Sequence, residues 1–214
     1  MDEDISIINT NTRNEKIKNF LLENKKKLIS FILTIIAIFV FVYGFDKYKT
    51  NKKLEISNKF NTATLQYSEN TKTKTAESLI ELINQQDATY SPLSLYFIID
   101  NNLVSDDKKI NSLFDILIKK TPLEEEIKNL VIYKKALFNA DKAQENNLLN
   151  ILNPLINSQS VWKSHALYLM AEFFYAKDQK QKSKEFFNQI ISLENANPDI
   201  MMQAQKRLNR DLSE

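Results

Sequence analysis

The chain has 214 residues, with 29 Lys and Arg against 27 Asp and Glu, and it contains no cysteine. That balance leaves no concentrated cationic footprint for nucleic acid, and the missing cysteine excludes disulfides, thiolate catalysis and thiolate-held metals. One glycine and four prolines leave little turn chemistry for strands or phosphate-cradling loops, so helices are predicted throughout, and 43% hydrophobic residues suffice to pack them.

Residues 1–12 are polar, acidic at the start and without a helical period, and read as a disordered tail. Residues 13–27 set Ile17, Phe20, Leu21 and Leu22 among Lys16, Lys18, Glu23 and Lys25. This predicts a short amphipathic helix, either interfacial or a simple extension of the segment that follows. Residues 28–45, LISFILTIIAIFVFVYGF, carry no charge and are bracketed by Lys25, Lys26 and Lys27 and by Asp46 and Lys47. As a helix the run is about 27 Å long, close to the roughly 30 Å hydrocarbon core of a bilayer. The lysines can snorkel to headgroups, and Tyr43 and Tyr48 stand where interfacial aromatics belong. A cleaved signal peptide and an all-apolar core helix are the competing readings; the late start and the charged sequence after Phe45 favour a retained span in contact with membrane lipid. Six basic residues precede the span and five follow closely, so charge barely sets a direction, although the Lys25 to Lys27 cluster favours a cytoplasmic N-terminus.

Residues 46–214 read as one helical domain. The first helix covers 47–68, and a second runs over 73–85 with Ala76, Leu79, Ile80, Leu82 and Ile83. Ser91-Pro92 opens a helix to about Leu103, and Ser105-Asp106-Asp107 caps its partner over 107–119. Thr121-Pro122-Leu123-Glu124 has the form of a capping box and predicts a helix from there to Asn139. Further helices follow over 144–157, with Pro154 as an irregularity, and over 161–176 and 179–192. Asn197-Pro198 then caps and starts a final one.

The hairpins among these helices are similar at a spacing in the thirties. In the first helices Ile98, Ala136 and Ala171 coincide; in the second, Ile110, Leu148 and Ser183 do, as do Phe114, Leu152 and Phe187, and then Leu117, Leu155 and Ile190. Residues 167–191, LYLMAEFFYAKDQKQKSKEFFNQII, resemble a tetratricopeptide unit, with Ala171 at its small position and Phe187 at its aromatic one. Ile98, Ser183 and Lys135 depart from that pattern, and the turns lack glycine. The predicted fold is all-α: an N-terminal single transmembrane helix followed by a tetratricopeptide-like helical-hairpin solenoid, with a plain helical bundle as the alternative. Ile98, Phe114, Leu117, Ala136, Leu148, Leu152, Leu155, Ala171, Phe187 and Ile190 are its repeat-packing residues.

The whole chain resembles the tetratricopeptide-like ancillary subunit family of the bacterial Sec translocon. The likeness lies in RNEKIKNFLLENKKK running into the span, in YGFDKYKTNKK leaving it, and in the C-terminal VWKSHALYLMAEFFYAKDQKQKSKEFFNQI with PDIMMQAQKRLNRDLS. There Trp162, Ala166, Ala171, Asp178, Phe187, Pro198, Met201, Met202 and Leu208 follow the family's pattern. The resemblance implies a single-pass bacterial inner-membrane protein with a cytoplasmic tail (1–27), a span (28–45) and a periplasmic helical domain (46–214). It also implies association with the translocon and with periplasmic folding factors.

No residue pattern points to catalysis, a cofactor or a small-molecule substrate. His165 is the only histidine and has no companion for a metal site. Glu124, Glu125 and Glu126 suit a helix N-terminus. Asp100 and Glu172 can face a groove, with solvated or capping roles as the plainer alternative. Trp162, Tyr168 and Phe174 are the aromatic residues taken as a surface for a partner chain. The expectation is a noncatalytic membrane-held interaction module, able also to self-associate. An envelope scaffold for cell-wall or division proteins is the second reading, and an enzyme of unfamiliar type the third.

Overall fold

The computed structural model describes the backbone of residues 2–212 and the side chains of residues 13–212. It divides into two compact units, Met1–Glu55 and Ile56–Glu214. The first contains α1 (Asp2–Glu23) and most of α2 (Lys25–Leu65). The disordered tail expected over 1–12 is instead helical in its backbone from Asp2, with Met1 outside the described residues. No glycine or proline interrupts this stretch. Asn24 separates the two helices, yet Asn24 N–H still donates to the Phe20 carbonyl (3.0 Å) and Leu28 N–H to that of Asn24 (2.9 Å). Helical hydrogen bonding therefore passes through it.

Within α2 lies the helix's apolar window, long enough to cross a membrane and with none of it buried in the protein. Phe31, Phe39, Phe41 and Phe45 are all exposed, as the lipid-facing side chains of a span are. The Thr34 hydroxyl returns a hydrogen bond to the Ser30 carbonyl (2.9 Å), which removes its polar cost in such surroundings.

The second unit begins with the last residues of α2 and continues through α3 (Lys72–Asn84), α4 (Tyr90–Asp100), α5 (Asp107–Lys119), α6 (Glu125–Asn139) and α7 (Glu145–Ile156). It ends with α8 (Lys163–Ala176), α9 (Lys180–Ile191) and α10 (Pro198–Asp211). From α3 onward each helix packs against the next, and α3 also meets α5, α6 meets α8 and α8 meets α10. The core advances in chain order. Its first section joins Ile56 to Val131, its second centres on Ala136, Leu148, Leu152 and Met170, and its third on Ala171, Phe187, Ile190 and Ala204. Ile118 touches the first two sections, and Ile156 and Phe186 the last two, so the apolar interior is continuous.

Asp106 and Asn197 cap as expected: Asp106 accepts from Lys108 N–H, and Asn197 from Asp199 and Ile200 N–H, with Pro198 in the first turn. Two starts differ. α4 begins one residue ahead of Ser91-Pro92, because Asp87 Oδ1 accepts from the Thr89 and Tyr90 N–H groups at 2.8 and 2.7 Å. Thr121 does not cap α6, which begins at Glu125; both its N–H and its hydroxyl donate to the Ile116 carbonyl, closing the C-terminus of α5. The open carbonyl of Ile116 at the end of α5 takes the Thr121 N–H that a capping box would have used.

Three helices end on left-handed residues that are not glycine: Gln86 after α3, Asn102 after α4 and Asp178 after α8, with φ of 57°, 48° and 56°. After α4, Leu103 N–H bonds the Ile98 carbonyl and Asn102 N–H that of Ile99; Gln179 and Asp178 repeat this on Phe174 and Tyr175 after α8. These are Schellman closures made without glycine, the only one of which lies at position 44.

Candidate interaction surface

All ten repeat-packing residues are fully buried. Ile98, Phe114 and Leu117 lie in the first core section, Ala136, Leu148, Leu152 and Leu155 in the second, and Ala171, Phe187 and Ile190 in the third. Ser183, which coincides with Ile110 and Leu148 in the repeat alignment, is also solvent-excluded, and its hydroxyl has no hydrogen-bond partner.

The three aromatic residues expected at a partner surface divide. Trp162 is half-buried and stacks on Tyr133 at 5.7 Å between centroids, with His165 against both rings. Tyr168 is half-buried, edge-on to Phe187 at 5.4 Å. Phe174 is not a surface residue: it is 2% exposed, stacked on Phe186 and covered by the Lys182 ammonium at 4.9 Å. α8 is covered by α6, α7, α9 and α10 and is apolar over most of its circumference, so its period does not reveal which aromatic side chain stays open. His165 is an interhelical residue, on α8 against Tyr133 of α6. Burial lowers its pKa, opposed by the Val161 carbonyl, and its Nδ1 is enclosed without a hydrogen-bond partner.

Charged pairs join elements of the second unit. Arg207 holds Glu172 through two bonds of 2.7 Å, also pairs with Asp211, and lies 4.1 Å over the Tyr175 ring. Its hydrogen bond to Glu172 raises the guanidinium pKa further, and hydrogen bonds from Arg210 and Arg207 pull Asp211 down to about 2. Lys135 bonds Asp115 at 2.9 Å; burial pushes that carboxyl up, but Lys135, with Lys119, outweighs it and leaves the pKa below the usual range. Glu172 is thus an ion-pair partner of Arg207. Glu126 sits near the start of α6 and accepts from the Ser160 hydroxyl at 2.8 Å.

A groove with an apolar floor lies between α4 and α6. Its volume is about 210 Å³, and it is lined by Tyr96, Ile99 and Asp100 of α4, Phe114 of α5, and Lys134, Leu137 and Phe138 of α6. Lys134 Nζ lies 4.7 Å from the Tyr96 ring centroid, and Leu137 is 45% exposed. The Tyr96 hydroxyl is buried without a partner, and burial pushes its pKa up to about 12. A larger depression of about 560 Å³ over the α8–α9 turn is lined only by the polar run Asp178 to Lys182 and has no such floor.

The sequence flagged Asp100 as able to face a groove but missed Tyr96, Lys134 and Leu137. One signal was present: Leu137 directly follows the buried Ala136, so it points away from the α6 stripe that Ala136 belongs to. Among the described residues no cluster of three or more His, Cys, Asp or Glu is arranged to hold a metal ion. The result is a membrane-compatible, all-helical chain whose visible features are packing surfaces and a groove. Set against family models, curated proteins and solved structures, the chain matches none of them.

Proposed function

We propose that this chain is a noncatalytic, membrane-anchored protein-interaction module whose hairpins stack as tetratricopeptide-like repeats. The observation that carries this reading is the period of its polar contacts. Tyr90 bonds Ser57 and Asn197 bonds Ser164, each 33 residues apart; Ser160 reaches Glu126 across 34; Lys142 reaches Asp107 and Arg207 reaches Glu172 across 35; Lys182 reaches Glu145 across 37. These spans lie close to the 35 and 38 residues that separate equivalent apolar positions such as Ile98, Ala136 and Ala171, while Lys135 with Asp115 and Asn139 with Asn111 make shorter links of 20 and 28. A stack of near-equivalent hairpins leaves an extended face open along its length, a geometry suited to holding another chain.

The order of parts and the C-terminal motif, being similar to the ancillary subunit family of the Sec translocon, favour a specific setting. In it the N-terminus is cytoplasmic, the helical unit is periplasmic, and the module links the translocon to periplasmic folding factors. The span holds the helical unit at the membrane and raises its effective concentration for partners there.

The test uses full-length protein in its membrane, carrying a photo-crosslinking residue either at Phe39 in the span or at Tyr168 in the helical unit. Translocon subunits captured from the first position and folding factors from the second are the expected result. Enrichment of cell-wall or division proteins at both positions would replace the translocon setting with an envelope scaffold.

A further inference from the structure

The last turns of α1, next to the span, carry apolar side chains with no cover in the protein: Ile17, Phe20, Leu21 and Leu22 are all exposed. At helical spacing, Ile17, Phe20, Leu21, Asn24 and Leu28 share one stripe about 100° wide. Lys18 and Lys25 line one edge of that stripe and Lys16 and Lys27 the other, while Asn19 and Lys26 lie on the opposite face. Leu22 falls outside the stripe, beyond Lys18. The far side of the span is different in kind. There residues 46–53, DKYKTNKK, set four lysines around a single aromatic side chain, Tyr48.

Leu28 opens the span and also belongs to the stripe, so the apolar face of α1 runs into the face that meets lipid. An upright continuation of the span would carry Leu21 and Ile17 roughly 10 and 16 Å beyond Leu28. The headgroup layer reaches only about 5 to 8 Å past the hydrocarbon. Upright, the stripe stands in water; laid along the bilayer, it returns to the lipid boundary, and the lysines on its edges reach the phosphates. Asn24 is the place for the turn. Its N–H and its Nδ2 both donate to the Phe20 carbonyl, each at 3.0 Å, so the helical ladder is continuous there but two donors share one acceptor. A side chain that enters the ladder in this way is a recurrent cause of helix bending.

The charge pattern selects the occupant. Copies of this chain held by the same span run parallel, and joining them stripe to stripe would bring Lys16, Lys18, Lys25 and Lys27 of one against those of the other. Anionic headgroups meet the same lysines as counter-ions. We propose that residues 13–27 dock on the bilayer surface as an interfacial helix selective for anionic phospholipid, turning at Asn24 into the span. The proposal rests on the membrane anchor and is independent of what the helical unit binds.

The chain has no cysteine, so single introduced cysteines carry spin labels without background. The test places the full chain in vesicles of phosphatidylcholine alone or mixed with phosphatidylglycerol, labelled at Leu21→Cys in the stripe, Asn19→Cys opposite it, or Phe39→Cys in the span. Power saturation then compares collisions with a water-soluble nickel chelate. In the mixed vesicles the label at position 21 is expected to be several-fold less accessible than that at position 19. Most of this protection should be lost in phosphatidylcholine alone, or when Lys16→Gln and Lys18→Gln are combined with the label. Equal accessibility at positions 19 and 21 in the mixed vesicles would overturn the docked helix in favour of an upright one. Protection that persists unchanged without phosphatidylglycerol would overturn the selectivity for anionic lipid. Spin–spin broadening at position 21 that disappears on dilution with unlabelled chain would put a second copy on the stripe instead. The label at position 39 separates these failures from that of the anchor: protection there in both vesicles keeps the span whatever happens at position 21, and free access to it rejects both.

Discussion

Gln86 bears the clearest local cost in the chain. Its φ of 57° places a long side chain in the left-handed region, where an L-residue without a short polar group is disfavoured by about 1 to 2 kcal/mol. Glycine removes that cost but gives back about 0.5 to 1 kcal/mol of unfolded-state entropy. Gln86→Gly is therefore expected to stabilise the protein by up to about 1 kcal/mol, and the same change at Asn102 by less, since asparagine tolerates this region. Urea unfolding of the two variants checks the order, and equal gains would show that backbone strain does not set it. These terminators were not legible in the sequence because glycine is their usual sign, and here glutamine, asparagine and aspartate stand in its place. The ten packing positions were legible for the opposite reason: burial at one position per turn writes itself into composition, as Phe114, Leu152 and Phe187 show.

At the scale of helices, contacts between non-consecutive elements decide how the stack responds to pH. His165 of α8 lies against Tyr133 of α6, with Trp162 closing the cluster. Burial lowers the imidazole pKa, so the folded chain resists a proton that the unfolded chain accepts near 6.5. The stabilisation is present above pH 6.5 and is lost as pH falls through the lowered folded value. Melting temperature should consequently drop between pH 7.5 and 5, with a shallower slope in His165→Gln. An equal slope in that variant would place the titration elsewhere. Helix positions were readable from period and caps, as at Asp106 and Asn197, but Thr121 shows the limit. A threonine between two helices can serve either, and only the three-dimensional position of the Ile116 carbonyl decides which.

At the scale of the whole chain, the second core section is the bridge between the first and the third. Leu152 is fully buried within it, and Leu152→Ala should cost about 2 to 5 kcal/mol, a large share of the roughly 5 to 15 kcal/mol typical of a domain. Because stability in a stacked array depends on neighbouring interfaces, the loss should also separate one unfolding transition into two. Hydrogen exchange should then show α9 and α10 protected to a different degree from α3 and α4; a single transition shifted as a unit would argue for a globular bundle. The all-helical class and the membrane-length segment were evident from composition. The groove was not, because it joins Tyr96 to Lys134 across two helices, and neither residue carries any local mark of the other.

The polar contacts that recur at intervals of 33 to 37 residues also bear on synthesis. Folds built from nearby segments can acquire their structure as the chain appears, without waiting for a distant terminus to close them. A polypeptide of this kind, emerging from a ribosome or a membrane pore, need leave only a few tens of residues unfinished at any moment, because each helix from α3 onward packs on the one before it.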